Sequence, residues 1–208
     1  MPASQQKLIN VDIERVSAEE VRQAAEYQAA ILADVAGRRG TLHGRIKPLA
    51  PNMAVAGPAI TVEVRPGDNL AIHAAMAVAK PGDVLVIDGK GDLSCALLGE
   101  IMATQAQASG IAAGLNPCGP TKFIPGRVNH AISVAGAAVQ AGDLVVGDID
   151  GVVVIPRDEV GTIIELAKGK LEGEVKRLSA IHDGDLRPHW LENALRQAGM
   201  LSEGEALP

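Results

Sequence analysis

Apolar residues recur along this chain in two rhythms. Short unbroken runs at 84–87 and 152–155, rich in valine and isoleucine, suit strands covered on both faces. The stretch 55–65 (VAGPAITVEVR) alternates enough for a strand, with Pro58 near its beginning, where proline is tolerated. One or two further strands are expected within 128–140, and another follows Ala141-Gly-Asp. Elsewhere the spacing is helical. Val21, Ala24, Ala25, Ile31, Leu32 and Val35 predict a helix that Ser17-Ala-Glu-Glu20 opens as a capping box and that runs to about Gly37. Ile72, Ala75, Met76 and Ala79 predict the inward face of a helix over 69–80. Val160, Ile164, Ala167, Leu171, Val175 and Leu178 form one stripe over 158–180, and a short last helix spans about 188–198, closed by Gly199. Strands from both halves of the chain make this a mixed α/β pattern, read as one domain over 1–208.

The stretch 81–110 combines these signals. Pro81-Gly82-Asp83 is turn chemistry, echoed by Pro66-Gly-Asp and Ala141-Gly-Asp. A buried strand follows, then Gly89-Lys90-Gly91, which lets the backbone turn sharply. Asp92 or Ser94 is placed to cap a helix whose first turns hold Ala96, Leu97, Glu100 and Ile101, and Gly110 is placed to end it. A loop between a buried strand and a helix is where α/β proteins hold small anions, because free N–H groups and the helix dipole favour negative charge there. Neither a Walker A loop nor a dinucleotide fingerprint is present.

Composition narrows the field. The 208 residues include only Tyr27, Phe123 and Trp190 as aromatics and carry a net charge of -6. That balance lacks the basic footprint and stacking platform of a nucleic-acid binder. No apolar run reaches the ~18 residues of a membrane span, and the N-terminus has no signal-peptide core, so a soluble cytoplasmic protein is expected. Cys95 and Cys118 form no CxxC pair and read as small structural residues. Residues 37–51 form a long loop in which Arg38, Arg39, Arg45 and Lys47 read as solvated charges able to attract an acidic ligand.

Several pieces together resemble the regulator of ribonuclease activity A-like family, which includes the class II 4-hydroxy-4-methyl-2-oxoglutarate and 4-carboxy-4-hydroxy-2-oxoadipate aldolases. They are Ala56-Gly-Pro-Ala-Ile-Thr-Val62, Pro66-Gly-Asp-Asn69, Pro81-Gly-Asp-Val-Leu-Val86, Ala96-Leu-Leu-Gly-Glu100, Gly119-Pro-Thr-Lys122, Gly126-Arg-Val-Asn129 and the run from Gly142 to Pro156. They stand in family order over most of the chain. The resemblance implies a compact α-β-β-α sandwich of the swivelling β/β/α kind, assembled as a homotrimer or homohexamer with sites between subunits. It implies a divalent-metal-dependent lyase that cleaves 4-hydroxy-2-oxo acids to pyruvate, with oxaloacetate decarboxylation as a side activity. A small 2-oxo acid would rest on main-chain amides around Leu98, Gly99, Glu100, Ile101 and Met102. Glu100 would hold the proton-shuttling water, and Mg²⁺ or Mn²⁺ would stabilise the pyruvate enolate. The family also contains non-catalytic proteins that bind a ribonuclease or helicase, and an acidic surface suits a basic partner.

The family's Arg-Asp pair, which supplies an arginine and a metal ligand, is missing. Counting from Glu100 through twenty intervening positions reaches Thr121-Lys122. Arg127 is the nearest arginine, but its Gly-Arg-Val-Asn setting matches another part of the family. The chain passes from Ala113 to Gly114-Leu-Asn-Pro as though one strand-turn-helix crossover were absent. Either this is a true deletion, or a segment present in the molecule is omitted. Deleting a crossover should unpair a strand at an expense comparable with a domain's whole stability of ~5–15 kcal/mol, which favours omission. Intact-protein mass spectrometry separates the two. The sequence corresponds to 21.5 kDa, and a hidden crossover would add several kilodaltons.

Overall fold

The computed structural model describes residues 7–111, 120–202 and 204–207. The Ala113–Gly114 junction and Cys118 lie outside the described residues. Two compact units are present, Met1–Ala167 and Lys168–Pro208.

The first unit is built around β1 (Val55–Glu63). One edge of β1 pairs in parallel with β2 (Val84–Asp88), from Ala59 opposite Val84 to Glu63 opposite Asp88. Its other edge is shared. β6 (Leu144–Gly147) runs antiparallel to the first half, and β3 (Arg127–Val128) pairs antiparallel with Val62 and Glu63. β7 (Val152–Ile155) completes the order β2-β1-β6-β7. β4 (Ile132–Val134) and β5 (Ala137–Val139) form a separate hairpin, turned by Ala135 and Gly136 at φ 49° and 89°. Residues 127–140 thus hold three short strands, one more than the spacing predicted.

Alternating side chains sort the sheet into layers. Ile60, Val62 and Leu85 face α3 (Leu70–Val78) and α4 (Glu100–Ala108), while Leu144, Val146, Val153 and Ile155 meet α1 (Ala18–Ala24), α2 (Ala29–Val35) and the start of α5 (Val160–His182). On the opposite face Ala59, Val84, Val86, Val145 and Val154 pack against Ile132 and Val139 of the hairpin. Helices on one side and a small sheet on the other give the β/β/α layering of a mixed α/β fold.

The structure departs from the sequence pattern in three places. The helix predicted from Ser17 to Gly37 is two helices. Ser17 does cap α1 in a full capping box, but α1 stops at Ala24, and α2 restarts where the Ala29 N–H donates to Asp148 Oδ2 at 2.8 Å. A carboxylate at a helix N-terminus is favourable, so a side chain distant in sequence sets this break. Next, α4 begins at Glu100 with Gly99 as an extended N-cap residue, because Asp92 spends Oδ1 on the N–H and hydroxyl of Ser94. Finally, the stripe on α5 is buried at Val160, Ile164 and Ala167 but exposed at Leu171, Val175 and Leu178. The second unit holds the rest of α5 and α6 (Leu191–Gln197). No helix among the described residues is long and apolar enough to cross a membrane.

The three Gly-Asp turns share one construction. Gly67, Gly82 and Gly142 all have φ between 74° and 90°, and all three aspartates are buried. A Cβ on Gly142 would stand 1.7 Å from the Glu14 carbonyl oxygen, so only glycine fits there. Asp83 takes a bidentate pair from Arg15 at 2.9 Å and the Lys80 N–H at 2.7 Å. Asp143 accepts the N–H groups of Gln140 and Arg157, yet burial outweighs them and pushes its carboxyl up. At Asp68 the balance reverses. Burial alone would raise it, but the N–H groups of Leu70, Phe123 and Ile124 and the Thr121 hydroxyl together hold its pKa at about 2. Its stabilising contribution is therefore fully present above the unfolded value near 4 and is lost as pH falls from ~4 to ~2, amounting to about 2 kcal/mol. Asp68→Asn places an NH₂ against these donors and should lower stability by ~1–3 kcal/mol at pH 7. Urea unfolding between pH 2 and 7 should show this difference shrinking towards pH 2. A pH-independent difference would mean the carboxylate charge does not hold the turn.

Candidate functional site

The carboxyl ends of the parallel pair β1–β2 are where an open α/β sheet presents its ligand sites. Immediately beyond them the chain turns through Gly89-Lys90-Gly91, with Lys90 and Gly91 at φ 58° and 71°. Lys90 accepts this uncommon conformation while tied at both ends. Its N–H donates to Asp88 Oδ1 at 3.0 Å, and its Nζ lies 2.5 Å from Asp88 Oδ2 and 2.6 Å from Glu63 Oε1. Arg127, opposite Glu63 in the register, completes an alternating row of two cations and two carboxylates. The two carboxylates raise the Lys90 pKa, Asp88 foremost, so its amine stays protonated and is a poor nucleophile.

From this end of the sheet opens a cleft of about 410 Å³ lined by the 87–98 segment, by Arg45 and Ile46, and by Val134 and Ala135 of the hairpin. Its walls are largely apolar, with Ile46, Ile87, Leu93, Leu97, Leu98 and Val134, and its polar groups are few: Arg45, Asp88, Asp92 and Cys95. Asn69, only 2 % exposed, fixes the inner wall. Its Nδ2 donates to the Leu97 carbonyl at 2.9 Å and meets Met102 Sδ at 3.1 Å. Neighbouring Asp68 holds residues 121–124, while Thr121 exchanges backbone hydrogen bonds with Gly67 and Asn69.

The expected site residues separate on this scaffold. Leu98 is buried and lines the cleft. Gly99 caps α4, and Glu100 is its exposed first residue. The N–H groups of Glu100, Ile101 and Met102 have no acceptor within the helix, as at any helix start. Ile101 is 85 % exposed, whereas Met102 points into the core against Asn69. Thr121, at the first position of the family's Arg-Asp, is spent on Asp68 instead, and Lys122 is exposed. Arg157-Asp158 is an Arg-Asp pair in sequence, but the Arg157 guanidinium is held by Glu14 and the Ala141 carbonyl, away from the cleft.

The residues do not fit a Mg²⁺ or Mn²⁺ centre. Such ions need several free oxygen donors. Of the two carboxylates lining the cleft, Asp88 has both oxygens engaged by Lys90, and Asp92 has Oδ1 engaged by Ser94. The sequence holds no Asp or Glu from Ile101 to Gly142, and no cluster of three metal-binding side chains occurs among the described residues.

Comparison with known proteins places this architecture. The family model RraA-like (Aldolase/RraA) matches residues 20–115 and 111–154, two pieces that meet at the shortened connection. The chain belongs to this family. A protein of Halalkalibacterium halodurans, provisionally named a 4-hydroxy-4-methyl-2-oxoglutarate aldolase, is 38% identical over 165 residues, covering 68% of this chain and 79% of its own. Since 68% of 208 residues is about 141, about 24 residues of that aligned span have no counterpart here. An Alkalilimnicola ehrlichii protein with the same provisional name is 31% identical over 121 residues, covering 47% of this chain and 74% of its own. Among solved structures, Streptomyces coelicolor RraAS2, described as an unusual member of the RNase ES inhibitor RraA family, superposes with TM-score 0.71 at 25% identity, covering 80% of this chain and 99% of its own.

Asn69→Ala should release the Leu97 carbonyl and destabilise the fold by ~1–3 kcal/mol. Amide hydrogen exchange should quicken at the start of α4 more than in β6 or β7. Uniform loss of protection across the sheet would show that Asn69 supports the core rather than the cleft wall.

Proposed function

We propose that this chain works in the aldolase branch of the family, on small 2-oxo acids. The reaction class is carbon–carbon cleavage of a 4-hydroxy-2-oxo dicarboxylic or tricarboxylic acid to pyruvate, with oxaloacetate decarboxylation as a side activity. The observation that carries this reading is the 38% identity to a protein provisionally named for that reaction, combined with a family match whose two pieces contain every residue lining the cleft.

The cleft's chemistry suits such a ligand. Leu97, Leu98, Ile46 and Val134 can cover the apolar face of a pyruvate unit and exclude water. The first N–H groups of α4 offer donors and a favourable dipole for its carboxylate. Glu100, in that first turn, would hold a proton-carrying water. A divalent ion supplies enolate stabilisation in class II aldolases, but no step is assigned to one because the residues present do not fit it. Assembly as a trimer or hexamer belongs to the same proposal. Leu93, Ile101 and Phe123, each at least 85 % exposed, are apolar surface suited to burial between subunits.

The acid-free stretch from Ile101 to Gly142 favours a second reading. In it the protein is a non-catalytic regulator that binds a ribonuclease or helicase.

Pyruvate release from 4-hydroxy-4-methyl-2-oxoglutarate, followed with a coupled dehydrogenase, tests the proposal. Release should exceed the uncatalysed rate and fall at least ~10-fold in Glu100→Gln, whose exposed position should leave Tm unchanged. Equal rates in both proteins would remove Glu100 from the chemistry. No release with Mg²⁺ or Mn²⁺ present would move the chain to the second reading.

A further inference from the structure

Resting on the reading of the cleft as a 2-oxo-acid site, we infer that Arg45 is a second donor to the ligand's carboxylate, beside the α4 N–H groups, and that this binding needs no divalent ion. Among the described residues, Arg45 is the one cation lining the cleft. Its loop is sewn in place from both sides. Gly40 accepts from the Val154 N–H at 2.9 Å, Leu42 donates to the Val152 carbonyl at 2.9 Å, and His43 donates to the Ala135 carbonyl at 2.7 Å. The Arg45 N–H then donates to His43 Nδ1, and the Ile46 N–H to the His43 carbonyl. These bonds bring the loop against Ala135, directly at the cleft wall.

The other cations nearby are committed. Arg39 pairs with Glu159, Lys47 donates to the Asp150 carbonyl, and Lys90 and Arg127 answer Glu63 and Asp88. Arg45 has no ion-pair partner among the described residues, so its planar guanidinium is available for bidentate contact with a carboxylate. The two carboxylates that line the cleft already have partners. Lys90 neutralises Asp88, and Ser94 holds Asp92 through its N–H and hydroxyl. Among the described residues the lining thus offers one cation without an ion-pair partner and no carboxylate that lacks a hydrogen-bond partner. That arrangement accepts an anion and does not accept Mg²⁺.

Calorimetric titration with oxalate, a planar dianion resembling pyruvate enolate, tests this at constant ionic strength with 5 mM-scale Mg²⁺ or with EDTA. With the oxalate chelated by Mg²⁺ itself subtracted through a protein-free titration, wild-type protein should bind free oxalate equally in both conditions. Arg45→Ala should weaken binding at least ~10-fold with Tm unchanged, because the side chain is exposed. Arg45→Lys should recover part of the loss, while Lys47→Ala, on the same loop but outside the cleft lining, should bind as wild type. Equal weakening by Arg45→Ala and Lys47→Ala, or none by Arg45→Ala, would overturn the assignment of Arg45. Binding that appears only with Mg²⁺ would overturn metal independence and leave the 2-oxo-acid reading standing. No oxalate binding by wild type in either condition would overturn that reading itself.

Discussion

Two adjacent buried side chains, Asp68 and Asn69, hold the candidate site together. Asp68 gathers four hydrogen bonds and thereby fastens residues 121–124 beside the start of α3. Asn69 reaches the other way, to the Leu97 carbonyl and Met102. One short turn therefore fixes both the segment entering α4 and the segment that follows the shortened connection. Each group is taken out of water, so its partners must be retained for the fold to keep its stability.

The same economy of charge governs the end of the sheet. Glu63, Asp88, Lys90 and Arg127 stand close because the β1–β2 and β1–β3 registers put them side by side. Their mutual pairing leaves the cleft without a spare carboxylate pair. On the proposed reading, Arg45 offers this cleft's ligand a cation, while its carboxylates are held by neighbouring groups.

Membership of the aldolase/RraA family and the layered fold agree with each other. The family match stops at residue 154, whereas the helical extension beyond Ala167 forms its own compact unit. The apolar residues Leu171, Val175 and Leu178 continue the stripe of α5 into that second unit without burial. Periodicity states which face a helix would bury. Coverage depends on what packs there, which periodicity alone does not supply.

The sequence by itself determined the strand-loop-helix of 81–110, the capping box at Ser17, the repeated Gly-Asp turns, the family, and that no Arg-Asp pair follows Glu100 at the family's spacing. These are legible because turn chemistry, capping and short apolar runs depend on neighbours within a few residues. Tertiary structure decided what depends on distant partners. Asp148 splits the first helix, Asp92 turns to Ser94 so that α4 begins at Glu100, and Asp68 rather than a ligand engages Thr121. Arg45 illustrates the limit most directly. In sequence it is one of four basic residues in a loop, with nothing to distinguish it. Only the backbone bonds to β7 and to the hairpin turn bring it to the cleft, while the partners of Arg39 and Lys47 draw those charges elsewhere.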